Sequence, residues 1–448
     1  MRELFMYCVD RIIVRASDKV YSYLDENASR AKLLYNASLF RVRNHFTAAG
    51  KAVLTPNEQD VENEMALLPT KPGRVINAYA LQKLMALTHN PDYYSGLPSQ
   101  TAQHITAQAV TDFRNWLKAL KAWRKDPSAF LGKPKMPHYV DADIKDYLFT
   151  NQTASVNDGI LSFPKTKATL RCRIRDGVLR EIKVTPYYGN YMLCVCYEVQ
   201  DNVSEGRTHS AAIDFGVDNI MAVTSDTGDS VLFKGDAVKS ENQWFNKRRA
   251  ELVGIITKGH PTATCPASKQ LEALSMHRSE WLHDTFQKMS SRLIEWCDAH
   301  DVGKLVLGSN KGWKQNSSIG RVNNQNFITI PFCTLQWMIR YKAERAGIVI
   351  AEQEESYTSQ ASFIDNDRIP VYGDTVARDM FSGRRIHRGL YKSKDGILIN
   401  ADLNGAANIL RKSGADTSCV AISDLQNPLV LRQPDLNTRI PVTGIGAA

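Results

Sequence analysis

No two of the eight cysteines form a C-x-x-C pair. They stand at Cys8, Cys172, Cys194, Cys196, Cys265, Cys297, Cys333 and Cys419, and Cys194-x-Cys196 falls in an apolar, strand-like run. This spacing argues against a cysteine-ligated zinc site and against a disulfide framework, and reduced thiols fit the cytosol. No apolar run approaches the roughly 18 residues that a membrane-spanning helix needs. The N-terminus begins Met1-Arg2-Glu3-Leu4 and soon becomes charged, so no signal peptide is expected. What is present suits a folded chain of two to four domains: 448 residues, 43% hydrophobic and 23% charged. The formal charge is +9, from 56 basic and 47 acidic residues. It favours a polyanionic partner, although solvated lysine faces give the same number.

Residues 5–16 alternate weakly and read as a strand. From Asn27 to about Ala48 the pattern is helical, and further helices are expected over about 78–88 and from Pro98-Ser99 to about Arg124. Pro56, Pro69 and Pro72-Gly73 read as loops. The third helix interleaves Arg114, Lys118 and Lys121 with Phe113, Trp116 and Trp123. That mixture suits a nucleic-acid backbone, and equally an amphipathic helix with its aromatics in the core. Gly132-Lys133-Pro134-Lys135-Met136-Pro137 is a basic, proline-broken linker. Short β-like runs then recur at 159–163, 169–174, 181–186 and 191–199, as in a small antiparallel barrel or sheet that the first strand could join. From Ser210 onward three strands (211–217, 220–224, 230–234) precede a helical stretch broken at Gly259-His260-Pro261 and resumed over 267–300. A strand over 304–307, a helix over 332–346, a strand over 348–351 and a helix over 402–412 follow. That order is a mixed sheet of ribonuclease H type. The proline-spotted tail from Ser413 to Ala448 reads as loose.

Two blocks frame this half. Ala211-Ala212-Ile213-Asp214-Phe215-Gly216-Val217-Asp218-Asn219 reads as an apolar strand ending in a carboxylate and a glycine turn. Asn400-Ala401-Asp402-Leu403-Asn404-Gly405-Ala406-Ala407-Asn408-Ile409-Leu410 reads as a helix with a carboxylate near its start. Two acids on rigid elements suit a divalent-metal site with oxygen ligands. Taken singly, each is also a common turn or a common helix cap.

With Tyr357-Thr358-Ser359-Gln360-Ala361-Ser362 and the Gly132–Pro137 linker, these blocks resemble TnpB, the RNA-guided nuclease of bacterial transposons, and its relatives the type V CRISPR effectors. The resemblance runs over most of residues 130–412. It implies a multidomain α+β chain: an RNase H-like (RuvC) nuclease domain, an N-terminal β-barrel wedge and an inserted helical recognition domain. The expected divisions are wedge at 1–22 and 134–205, helical domain at 23–133, nuclease at 206–356 and 398–414, a basic insert at 357–397 and a loose tail at 415–448.

The family's nuclease site uses an Asp on the first strand, a Glu at the end of the fourth and an Asp on the late helix. Asp214 and Asp402 match. Where the Glu is usual, this chain has Leu305-Val306-Leu307-Gly308-Ser309-Asn310, and Gly308 cannot bind metal. The next strand runs into Glu352-Gln353-Glu354-Glu355. Neighbouring strands lie about 4.8 Å apart, so a Glu there reaches a site normally served from the fourth. Glu355 is the first candidate and Glu354 the second. Without a substitute the nuclease would be dead. The family's paired cysteines around the insert are also absent, so no zinc is expected there. Instead Arg384, Arg385 and Arg388 lie in a basic hairpin-like stretch that reads as nucleic-acid-binding or as a solvated loop. A stretch with Lys311, Trp313, Lys314 and Arg321 reads as a strand-contacting lid or a polar loop.

The resulting expectation is an RNA-guided DNA endonuclease. It recognises a short target-adjacent motif and cuts guide-matched double-stranded DNA, with base pairing reading the sequence. Asp214, Glu355 and Asp402 would hold two Mg²⁺ ions, which Mn²⁺ could replace. One protein per guide RNA, no membrane association and a bacterial cytoplasmic, nucleoid-associated location complete it. The alternatives are a nuclease-dead RNA-guided DNA-binding repressor and a DNA-strand transferase acting directly in transposition.

Overall fold

A computed structural model describes residues 5–174, 177–200, 206–259, 265–266, 268–309, 330–374, 376–377, 380–387 and 389–438. They fall into two compact units, Met1–Gln200 and Asp201–Ala448, of mixed α/β structure. Lys311, Trp313, Lys314, Arg321 and Arg388 lie outside the described residues.

The first unit opens with β1 (Phe5–Val14), then α1 (Tyr21–Ala48), α2 (Pro56–Met65), α3 (Ala78–Leu87) and α4 (Ser99–Lys125). Buried Leu24, Ala28, Ala31, Leu34, Leu39 and Val42 recur every three to five residues along α1 and face the helical core. Pro56 does not mark a loop. It opens α2 at a position where its missing N–H is no loss, behind a Thr55–Glu58 capping box. On α4, Phe113 and Trp116 pack edge-on against Phe46, whereas Arg114, Lys118 and Lys121 are exposed along one side.

Strands β2 (Tyr147–Thr150), β3 (Ser155–Asn157), β4 (Ile160–Ser162), β5 (Thr169–Arg171), β6 (Val178–Tyr187) and β7 (Asn190–Gln200) complete the unit. They pair as two antiparallel sheets, β1-β7-β6-β2 and β3-β4-β5. The first strand does join the later ones, in register from Phe5↔Gln200 to Val14↔Tyr191. Tyr191 donates to Asp25 (2.7 Å) and Tyr147 to the Leu24 carbonyl (3.1 Å), which ties the four-stranded sheet to α1.

The second unit holds β8 (His209–Phe215), β9 (Asn219–Ser225), β10 (Ser230–Lys234), α5 (Asp236–Ile256), α6 (Lys269–Ala299), β11 (Val302–Ser309), α7 (Phe332–Arg345) and β12 (Val349–Glu354). After them come β13 (Arg384–His387), β14 (Leu390–Lys392), β15 (Leu398–Asn400), α8 (Ala401–Lys412), α9 (Ile422–Gln426) and β16 (Leu429–Leu431). The main sheet has the order β12-β11-β8-β9-β10-β16. β11 is parallel to both β12 and β8, and β9 is antiparallel to β8.

The tail is not loose throughout. β16 pairs in parallel with β10, Leu431 and Leu436 enter the core, and Arg292 donates to the Thr438 carbonyl. A three-residue strand is too short to leave a readable alternation, so only burial reveals it.

Side-chain alternation decides what each face of this sheet meets. Ala211, Ile213 and Phe215 of β8 join Leu305 and Leu307 of β11 in the core built with α6 and α7. Ala212 and Val306 point the other way, onto Ile409 and Leu410 of α8. Asp214, Gly308 and Glu355 share that second parity, with Ala351 in the same cluster, so both acids lie on the sheet face under α8.

Candidate active site

Asp214 lies on β8 opposite Ala222 of β9, and its carboxylate presses against Gly405 of α8, where a side chain would collide with it. A carboxylate so enclosed loses its hydration. Burial, then the charges of Asp402 and Glu355, push its pKa well above the ordinary carboxylate range, and Arg385 only partly opposes them.

Glu355 follows β12 directly, and its amide continues the β11 pairing by donating to the Ser309 carbonyl at 3.3 Å. Its Oε2 is buried without a hydrogen-bond donor. The same atom sits 2.7 Å from where a Cβ on Gly308 would be. The glutamate that follows β12 therefore fills the space that a side chain at position 308 of β11 would need. Burial, then the neighbouring Glu354 charge, push Glu355 up to about 7.

Glu354 points elsewhere. Its Oε2 meets Lys412 at the end of α8 (2.6 Å), and its Oε1 accepts from the Ser356 amide (2.6 Å). Burial raises its pKa, but Lys412 and Ser356 outweigh burial and hold it below the ordinary range.

Asp402 stands in the first turn of α8, which Asn400 caps by accepting from the Asp402 and Leu403 amides (2.9 and 3.1 Å). Asp402 Oδ1 meets the Arg385 guanidinium and Oδ2 accepts from Asn219 Nδ2, both at 2.6 Å. Arg385, expected from the sequence to face nucleic acid, is thus held on a carboxylate here, while Arg384 is exposed.

The turn after Glu355 is fastened by two buried asparagines of α8. Asn404 donates to the Ala361 carbonyl (2.8 Å) and accepts from the Phe363 amide (2.9 Å). Asn408 donates to the Thr358 and Ala361 carbonyls (2.9 and 2.7 Å). The Tyr-Thr-Ser-Gln block therefore acts through its backbone, as the piece that α8 grips. Asn404, Asn408, Lys412 and Asn219 were not singled out from the sequence. An Asn pair at i, i+4 on the apolar face of a helix was the available signal, since a buried amide must find partners.

The insert between this turn and α8 is closed by aspartates. Asp367 accepts from the Ser362 and Ser382 amides and the Ser382 hydroxyl (2.8, 3.0 and 2.6 Å). Asp365 accepts from the Ser362 hydroxyl and the Lys394 amide (2.6 and 3.0 Å). These carboxylates gather three separated points of the insert, and the antiparallel sheet β13-β14-β15 leads from it into α8.

A hard divalent cation suits the donor chemistry: Asp214 and Glu355 lie on one sheet face and Asp402 opens the helix over it, one carboxylate has an orphaned buried oxygen, and two have raised pKa values. As placed, no three His, Cys, Asp or Glu side chains among the described residues stand close enough to hold one ion. Both oxygens of Asp402 are meanwhile engaged by Asn219 and Arg385.

Residues 194–314 match the family described as OrfB_IS605, "Probable transposase", and residues 332–409 match "Cas12f1-like, TNB domain". The TnpB-like protein ORF457 of Acidianus two-tailed virus is 25% identical over 241 residues, which are 52% of this chain and 47% of that protein. The chain thus aligns with about half the length of that relative. Among solved structures, Cas12f1 in its complex with sgRNA and target DNA aligns with a TM-score of 0.52 at 14% identity. The alignment covers 87% of this chain and 82% of that one. Over part of its length the chain is thus similar to TnpB-like proteins and to a Cas12f1-like domain, as the sequence motifs suggested, and its fold is similar to that of Cas12f1. No helix among the described residues is long and apolar enough to cross a membrane.

Proposed function

We propose that this chain is an RNA-guided DNA endonuclease whose second unit is a RuvC-type nuclease with a relocated glutamate. One observation carries the reading. Glu355 places a donor-free carboxylate oxygen in the space above Gly308, on the sheet face that also bears Asp214 and lies under α8. A residue kept only to solvate a strand end would have no reason to bury that oxygen.

Asp214, Glu355 and Asp402 would hold the divalent ions, Mg²⁺ by preference. Such ions neutralise charge on a phosphodiester and lower the pKa of water. The chain's own contribution is to hold three carboxylates on rigid elements and to exclude water from two of them. The exposed Arg114, Lys118 and Lys121 of α4 would contact the phosphates of a guide RNA, in a first unit that serves as wedge and recognition domain. The guide would read double-stranded DNA beside a short motif. One protein per guide, in the bacterial cytoplasm, is part of the same reading.

Two observations favour the binding-only reading: Asp402 is engaged by Arg385, and the acids among the described residues do not converge as placed. The deciding experiment sequences the RNA that copurifies with the protein, then offers plasmids bearing the matching sequence beside randomised flanks. Cutting in Mg²⁺ that stops with chelator, and is lost in Glu355→Ala, supports the endonuclease. Tight guided binding without cutting supports the repressor. Absence of any copurifying RNA overturns both in favour of direct transposition.

A further inference from the structure

Asp402 has two unequal partners. Arg385 reaches Oδ1 from β13, an edge strand of the small sheet, with its side chain 42% exposed. Asn219 reaches Oδ2 from the main sheet and is only 3% exposed. Asn219 has a partner of its own: Lys234 Nζ donates to its Oδ1 at 3.0 Å. An ammonium can only donate, so the amide oxygen must face Lys234 and the amide NH₂ must face Asp402. The lysine thereby fixes which end of the amide the carboxylate meets. The backbone is irregular at the same place. Phe233 pairs with Met221 but Lys234 pairs with Asn219, skipping Ile220, and a bulge of this kind re-aims a side chain.

We propose that Lys234 and Asn219 form a two-residue brace that orients Asp402 for metal, positioning residues that act through Asp402 and do not themselves touch the ion. The brace rests on the endonuclease reading above. Arg385, on an exposed edge, is the partner that yields when Oδ1 is needed. Asn219 stays and sets the plane of the carboxylate. Outer partners of this kind typically carry about ten- to a hundredfold of metal affinity.

The test measures Mn²⁺ binding to the full chain, freed of nucleic acid, by electron paramagnetic resonance of the unbound ion. Melting temperature is recorded for each variant in chelator. Asn219→Leu keeps the approximate shape and removes the donor without adding a charge or a ligand beside Asp402, and should weaken Mn²⁺ binding about tenfold or more. Lys234→Met keeps the length and frees the amide to turn, and should weaken binding less. Lys234→Arg, which still only donates, should restore it. Unchanged affinity in Asn219→Leu overturns the brace while leaving the nuclease reading intact. So does a loss in Lys234→Met that Lys234→Arg shares, or an affinity loss that only follows a fall in melting temperature. If the unmutated chain has no Mn²⁺ site that Asp402→Ala removes, the metal reading fails and the brace fails with it.

Discussion

Glu355→Gln should stabilise the metal-free protein while abolishing cleavage. The carboxyl is ordinarily half-ionised at 4.5 and is pushed up to about 7 here, first by burial and then by Glu354. The folded chain keeps this proton to higher pH than the unfolded chain does. Between about 4.5 and about 7 the folded state therefore binds more protons, and its stability falls as pH rises through that window. At roughly 1.4 kcal/mol for each tenfold change in acidity, the fully ionised group costs the fold at most about 3 kcal/mol. A glutamine of the same shape carries no such charge. It also removes one of the charges that raise Asp214. Thermal melts in chelator at pH 5 and pH 8 read the effect. The unmutated chain should melt lower at pH 8, and Glu355→Gln should recover several degrees there and little at pH 5, taking about 2–4 °C for each kcal/mol in a unit of this size. An unchanged pH dependence in Glu355→Gln would refute the argument, because it would mean that Glu355 is hydrated and no different from a surface acid.

Glu354→Ala should retain cleavage but cost about 1–2 kcal/mol, read by denaturant melt, because Lys412 keeps only the Ser356 and Pro370 carbonyls. Gly308→Ala should reduce cleavage at least tenfold and lower the melting temperature, since the added methyl displaces the end of Glu355 and also crowds Ile409 and the Ile213 carbonyl, and small misplacements of a reacting group are costly. Asp367→Ala should open the insert, seen as faster proteolysis between residues 362 and 398, since three hydrogen bonds from two separated serines are lost at once. Arg385→Ala should tighten Mn²⁺ binding to the nucleic-acid-free chain, because it releases Asp402 Oδ1; weaker binding would show that the arginine helps to hold the site together.

Most of the second unit was legible because its strands are apolar and its acids stand at the ends of apolar runs. The sequence order of three strands and alternating helices agrees with the strands observed, within a few residues at the ends. What was not legible depends on contacts distant in the chain. The α2 helix hid behind a proline that normally signals a break, and only the reciprocal bonds of Thr55 and Glu58 reveal it as a start. β2 and β16 are three or four residues long and gain their strand character from a partner already in place. The asparagines of α8 read as ordinary helix residues until the turn they grip is laid beside them. Arg385 read as one more cation of a basic hairpin, because nothing local to it announces Asp402.

Two glycines make room for two buried carboxylates under α8. Gly405 leaves room on α8 for the Asp214 carboxylate, and Gly308 leaves room on β11 for the Glu355 carboxylate. Each absent side chain is the complement of an acid from a neighbouring element. Read in isolation, Gly308 looks like the loss of a ligand. Read across the parallel pair, it leaves room for the acid that the proposed site would take from the next strand: Gly308 aligns with Gln353, so the chain two residues further on reaches the same end of the sheet. Glu355 then shares the parity of Ala351, which faces α8. A side chain at 308 would displace the inward carboxylate of Glu355. A small residue on one strand and an acid two places beyond its partner on the next are therefore a matched pair, and under the proposed nuclease reading the missing residue points to the one that would replace it.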